Sequence, residues 1–217
     1  MTDAAVIFDV DGVLIDSYQS HFQSWQLMLS ELGEEFTEET FRGTFGRTNR
    51  DIFADLFGEK YSADQVSTAS DRKEQLYREI IAREFPSIDG AVELIDALSE
   101  AQFLVAVGSS GPPENVAQTL ESLGRADRFA VRVTGADVTR GKPDPQVFQL
   151  AAEKLGVTPQ QSVVFEDAPA GVVAAKAAGM ACVALTGTAT RTQLQDADLI
   201  VDSLRDVAVG QVRGLLL

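Results

Sequence analysis

Two aspartates two positions apart, Asp9 and Asp11, follow the apolar run Val6-Ile7-Phe8 and precede Gly12. Side chains at i and i+2 of an extended segment point the same way, so both carboxylates face one site at the end of a short buried strand. Gly12 lets the chain turn away there without a side-chain clash. Like charges that close disfavour each other's ionisation. Two arrangements make them tolerable: a hard cation such as Mg²⁺ between them, or one carboxyl kept protonated as an acid. A plain strand ending in an Asp/Gly turn would use the same residues, so the rest of the chain must decide.

The elements that would position these groups are legible as short apolar runs at 4–8, 103–107, 129–133, 162–165, 181–185 and 199–201. From residue 89 they alternate with helical stretches at 89–101, 113–123, 144–155, 168–178 and 190–195. Thr158-Pro159-Gln160-Gln161 carries a helix-start signature, a capping threonine before proline with glutamine at the capping-box position. Continuous apolar strands alternating with helices predict an α/β fold, a Rossmann-like parallel sheet with helices on both faces.

Open sheets of this kind bind ligands at the carboxyl ends of their strands. After the first strand come Asp9 and Asp11, and after the second Gly108-Ser109-Ser110-Gly111. After the third comes Thr134-Gly135-Ala136-Asp137, leading to Gly141-Lys142-Pro143, and after the fourth Glu166-Asp167-Ala168. Singly, each has a structural reading: a turn, a helix cap, a solvated lysine. Together they put four carboxylates, a hydroxyl pair with backbone N–H groups, and one ammonium on one rim. That is a divalent-metal site beside a phosphate site. The run from Gly135 to Gly141-Lys142 is not a nucleotide-binding P-loop: it is one residue too long, and Pro143 stands where Ser or Thr should follow the lysine.

The first crossover is far too long for a single helix. Residues 17–86 read as helices throughout, with His21, Trp25, Met28, Leu29 and Leu32 on one face. Thr48-Asn49-Arg50-Asp51 and Ser62-Ala63-Asp64-Gln65 look like helix starts, the second opening a stretch that ends near Phe85. We expect a core catalytic domain of residues 1–16 and 87–217 and an inserted all-helical cap domain of residues 17–86. Its hinges would be Asp16-Ser17 and Pro86–Gly90. An insertion directly after the two aspartates has the connectivity of a lid, which excludes water and chooses substrates.

With 217 residues, 45% of them hydrophobic, the chain can bury a sizeable core. A formal charge of −15 argues against nucleic acid and anionic membranes as partners, and obliges any phosphate site to be built locally. No apolar run approaches the roughly 20 residues of a membrane span, and no signal peptide is visible. The single cysteine, Cys182, lies in an apolar run and reads as a small buried residue. A cytoplasmic protein, monomer or weak dimer, is expected.

In order, Asp9-Val10-Asp11-Gly12, Ser109, Gly141-Lys142-Pro143-Asp144-Pro145 and Phe165-Glu166-Asp167-Ala168-Pro169-Ala170-Gly171 resemble the four motifs of the haloacid dehalogenase-like hydrolases. The spacing is similar to the helical-cap subfamily, which includes β-phosphoglucomutase and many small sugar-phosphate phosphatases. Asp11, absent from the dehalogenases proper, points to phosphoryl transfer. The resemblance implies Asp9 as nucleophile forming an aspartyl-phosphate and Asp11 as general acid, then base. It implies Ser109 and Lys142 as holders of the phosphoryl oxygens. It also implies Mg²⁺ on the Asp9 carboxylate, the Asp11 carbonyl and Asp167, with Glu166 close by. Ser110 and cap residues would bind substrate: His21 and Trp25, the loop Gly46-Arg47-Thr48-Asn49-Arg50, and Lys73, which could equally be a solvated helix lysine. β-Phosphoglucomutase has an arginine that grips a second phosphate; here Asn49 stands at that position, flanked by Arg47 and Arg50. The polar run after its second motif is replaced by Gly111-Pro112-Pro113. Both departures favour a phosphatase acting on a small phosphorylated metabolite over a phosphomutase. A phospho-accepting signalling receiver is a third reading, but receivers are about half this length and need no inserted lid.

Overall fold

A computed structural model describes residues 4–42, 44 and 48–216. The strands are β1 (Ala5–Phe8), β2 (Leu104–Gly108), β3 (Phe129–Val133), β4 (Ser162–Glu166), β5 (Ala181–Leu185) and β6 (Leu199–Val201). The helices are α1 (Tyr18–Glu31), α2 (Glu38–Arg42), α3 (Asn49–Phe57), α4 (Ala63–Arg83), α5 (Ala91–Glu100), α6 (Pro113–Ser122), α7 (Gln146–Leu155), α8 (Pro169–Ala177) and α9 (Val209–Gly214). Two compact units result, Met1–Asp16 with Ser87–Leu217, and Ser17–Pro86.

The first unit is built on one parallel sheet of order β3-β2-β1-β4-β5-β6. Continuous apolar strands need helices on both faces to leave water, which is why β1 is fully buried. Its register sets the geometry of the rim. Phe8, the last residue of β1, is level with Val107 of β2 and Phe165 of β4. The residues that leave the sheet next, Asp9, Gly108-Ser109 and Glu166-Asp167, therefore emerge side by side. One face packs Ile7, Val164 and Cys182 against Val147, Phe148 and Ala151 of α7 and Ala174 of α8. Elsewhere in the sheet Phe8 stacks on Phe165 with ring centres 4.9 Å apart. Cys182 is a small buried apolar residue, its thiol pKa pushed up by burial.

Several boundaries differ from expectation for local reasons. The helix expected from Asp89 starts at Ala91, because Gly90 has φ +85°. The one expected from Asp144 starts at Gln146, since a residue before proline avoids the helical region. Thr158 caps a helix as its signature implies, but only a short one. It makes one 3₁₀ turn, with Gln161 Oε1 accepting from the Thr158 N–H and hydroxyl, both at 2.9 Å, and passes directly into β4. Residues 190–195 form turns rather than a helix: Leu194 alone is buried there, and the Gln193 side chain is spent on the Thr190 N–H and hydroxyl. Helix α9, with Val212 as its one buried side chain, gave too weak a periodicity to be read.

The helical unit encloses its own core of Trp25, Met28, Leu29, Phe36, Phe41, Ile52, Phe53, Ala69 and Leu76. Thr48 caps α3 through the Asp51 N–H, and Ser62 with Gln65 forms the capping box of α4. Leu32, expected on the buried face of α1, is exposed beyond the helix end. In the first unit, the segments that leave for and return from residues 17–86 are paired: Ile15 bridges Ser87, and the Ile88 N–H donates to the Leu14 carbonyl at 3.2 Å.

Candidate active site

At the carboxyl end of β1 the Asp9 N–H donates to the Phe165 carbonyl of β4 at 2.9 Å, fixing the backbone that carries the carboxylate. Lys142 arrives from the loop after β3. Its ammonium lies 2.9 Å from Asp9 Oδ1 and 2.7 Å from Glu166 Oε1, and 4.8 Å over the Phe148 ring. Glu166 ends β4. Its other oxygen accepts the backbone N–H groups of Asp167 at 2.8 Å and Ala168 at 2.9 Å. A Cβ at Gly171 of α8 would overlap the Glu166 carboxylate, so glycine there is a requirement of space. Gly12 is required twice over: φ is +74°, and a Cβ would overlap Asp167.

Asp9, Glu166 and Asp167 are all buried, with carboxylate oxygens within 4.8 Å of one another. Their titration reflects that crowding. Burial, then Glu166 and Asp11, push Asp9 up to about 7 against the pull of Lys142. Asp167 is raised well above the usual carboxylate range by burial, Glu166 and Asp9, opposed by the Thr188 hydroxyl and Lys142. Burial alone would lower Lys142, but Asp9 and Glu166 together raise it, so it stays charged. Of the three buried acids only Asp9 and Glu166 pair with the Lys142 ammonium, and positive charge is in short supply. An all-carboxylate donor set suits a hard divalent cation, so these residues fit Mg²⁺.

Ser109, Asp11 and Ser110 complete the core residues expected at the site. Ser109 is buried; its N–H donates to the Val133 carbonyl and its Oγ accepts the Gly111 N–H, both at 3.0 Å. Asp11 is half-buried, and its carboxylate stands outside the cluster of three. It is directed toward the 109–111 turn, where a Cβ on Gly111 would be 3.8 Å from Asp11 Oδ2 and 3.3 Å from Ser109 Oγ. Ser110 is exposed, its carbonyl pressed against Gly135.

In the helical unit, Lys73 Nζ lies 2.8 Å from His21 Nδ1 and 2.9 Å from Glu74 Oε1, and Asn49 Nδ2 donates to the same Glu74 oxygen at 2.9 Å. The His21 ring stacks on Tyr77, with centroids 4.1 Å apart. Lys73 is only 3% exposed, which removes the reading of a solvated helix lysine. Burial would raise the Glu74 carboxyl, yet Lys73, Asn49 and His21 hold it below its usual value. Trp25 must be corrected as a substrate contact: it is packed between Phe36 and Phe53 in the apolar core. Thr48 is occupied as the cap of α3, donating to Asp51 Oδ2 at 2.7 Å, while Arg50 is exposed. Gly46 and Arg47 lie outside the described residues.

Two participants escaped the sequence reading. Glu74, beside Lys73, carried no motif. Thr188 stands three residues beyond β5, and the carboxyl end of that strand belongs to the same rim as those of the first four. Its position past a strand end was the signal that could have found it.

The family model described as haloacid dehalogenase-like hydrolase matches residues 6–185. The chain belongs to this family. The validoxylamine A 7'-phosphate phosphatase of Streptomyces hygroscopicus subsp. limoneus is 34% identical over 93% of the chain and 94% of its own length. The β-phosphoglucomutase of Bacillus subtilis is 29% identical over 94% and 92%. Rhodobacter sphaeroides CbbY, solved with xylulose-(1,5)bisphosphate, superposes with a TM-score of 0.89 at 24% identity, covering 100% of both chains, and shows the same fold. Kinship of this kind places the chain among the phosphoric monoester hydrolases of the family. Among the described residues no helix is long and apolar enough to cross a membrane.

Proposed function

We propose that the protein is a Mg²⁺-dependent phosphatase that hydrolyses a small phosphorylated metabolite, a sugar phosphate, through an aspartyl-phosphate on Asp9. The observation that carries this reading is the buried Asp9 carboxylate held 2.9 Å from an ammonium that Glu166 fixes from the other side. Such a carboxylate is aimed and short of positive charge, which an incoming phosphoryl group with its cation would bring. An Asp9 oxygen attacks phosphorus as the bond to the leaving oxygen breaks, and Asp11 gives that oxygen its proton. Asp11 then takes a proton from water, whose oxygen attacks the phosphorus; the Asp9 O–P bond breaks and inorganic phosphate leaves. Lys142 and the Ser109 hydroxyl hold the phosphoryl oxygens as charge shifts among them. Mg²⁺ would be held by Asp9, Asp167 and the Asp11 carbonyl, with Glu166 beside them, and supplies the charge that lets an anionic nucleophile meet an anionic phosphate.

The helical unit is proposed as the cap that chooses the substrate, with His21, Lys73 and Asn49 as its polar contacts. The tie from Asn49 to Glu74 supports hydrolysis over mutation: an amide engaged with a carboxylate is a poor grip for a second phosphate. The mutase reading keeps support from the Bacillus relative. A signalling receiver does not fit a family match across residues 6–185. We infer a cytoplasmic enzyme, monomer or weak dimer.

The test is a screen of phosphorylated metabolites with free-phosphate detection, including β-glucose 1-phosphate with its 1,6-bisphosphate. Release of phosphate, silenced by excess chelator and restored by Mg²⁺, is expected. Conversion to hexose 6-phosphate without phosphate release would establish the mutase instead.

A further inference from the structure

The three clustered carboxylates are not equally provided for. Asp9 and Glu166 share the Lys142 ammonium, and Glu166 also takes two backbone N–H groups. Asp167 makes no ion pair with Lys142, although it is only 4% exposed. The side chain that approaches its carboxylate is Thr188, three residues past the end of β5 and beside the same Gly12 turn. Gly12 makes their meeting possible. A Cβ there would overlap the Asp167 carboxylate and stand 2.9 Å from Thr188 Oγ1, so both groups close over the same bare backbone turn. The neighbouring Thr186 does not take part: its hydroxyl goes to Asp202 at 2.7 Å.

We propose that Thr188 is a positioning residue for the cation site: its hydroxyl donates to the Asp167 carboxylate and fixes the oxygen left to face a divalent ion. The inference rests on the Mg²⁺ reading above and adds a residue to it. A carboxylate among like charges gains from rotating away or from taking a proton. A donated hydrogen bond opposes both, because it strengthens with negative charge on the acceptor and has one preferred direction. Partners of this kind typically change metal affinity by about 10–100-fold. Thr188 is exposed at the rim, so its hydroxyl competes with water, and the lower end of that range applies.

The experiment is Mg²⁺ titration by isothermal calorimetry on the full chain, without substrate, for the wild type, Thr188→Val, Thr188→Ser and Thr186→Val. Thr188→Val should weaken Mg²⁺ binding about tenfold, with the melting temperature in chelator unchanged. Thr188→Ser should restore it and Thr186→Val should leave it alone. In turnover, Thr188→Val should need about tenfold more Mg²⁺ for half-maximal rate, with kcat at saturating Mg²⁺ close to wild type. Equal Mg²⁺ affinity in wild type and Thr188→Val, or a serine variant as weak as valine, would overturn the role of Thr188 and leave the metal reading standing. A wild type that binds no Mg²⁺ would overturn both.

Discussion

Each unit hides a lysine among acids, and the two clusters are balanced in opposite senses. In the α/β unit, Lys142 is divided between Asp9 and Glu166, and Asp9 and Asp167 are still pushed above their usual pKa. In the helical unit, Lys73, Asn49 and His21 converge on Glu74 and hold it below its usual pKa. The first cluster is short of positive charge; the second has compensated its acid from its own side chains. The means of assembly differ too. Asp9 and Glu166 leave the adjacent strands β1 and β4, which the sheet register levels, and Lys142 reaches both from the loop after β3. Asn49, His21 and Lys73 come from three helices, α3, α1 and α4, held by an aromatic core. An under-neutralised cluster on a rigid frame suits chemistry, whereas a compensated cluster between packed helices suits selection.

The largest break in this contrast is Asp9→Asn. It should lower kcat by about four orders of magnitude or more, as loss of a nucleophile does elsewhere, while the circular-dichroism spectrum is kept. Turnover near the wild-type rate would remove Asp9 as nucleophile. Lys142→Met should both silence phosphate release and cost about 3–5 kcal/mol of stability in chelator at pH 8, because it strands buried carboxylates. Denaturant unfolding would read the second effect. Trp25→Ala should cost a comparable 3–5 kcal/mol, roughly, from the cavity it leaves, but with KM unchanged in the folded fraction. A large KM effect would return Trp25 to the substrate site. Lys73→Met is expected to be milder, about 1.5–3 kcal/mol, and to change KM between substrates more than the rate with p-nitrophenyl phosphate.

The smallest expected effect is on pH dependence. In the metal-free fold Asp9 keeps its proton up to about 7, whereas an unfolded aspartate releases it near 3.8. Between those values the folded state binds more protons, so this group's contribution to stability is lost as pH rises through the window, at no more than about 1.4 kcal/mol per pH unit. Unfolding in chelator should show that slope in the wild type relative to Asp9→Asn. Mg²⁺ competes with the proton, so its stabilising effect should be larger at pH 8 than at pH 5.

The chain by itself determined the strands and the order of chemistry along them. Runs 129–133, 181–185 and 199–201 coincide with β3, β5 and β6; β5 is continuously apolar because it is buried between neighbours, whereas β3, with Arg132, and β6 are partly exposed edge strands. Convergence of Asp9, Lys142 and Glu166 was also implicit, since a parallel sheet delivers every strand's carboxyl end to one rim. Tertiary structure alone decided who meets whom: that both Glu166 oxygens are engaged, that Trp25 packs a core, that Lys73 is buried on Glu74, and that Thr188 and Asp167 close over the same turn at Gly12. Periodicity is a property of neighbouring residues and is written locally. Partnership depends on register and side-chain reach between segments far apart in sequence, which only the folded chain brings within a few ångströms.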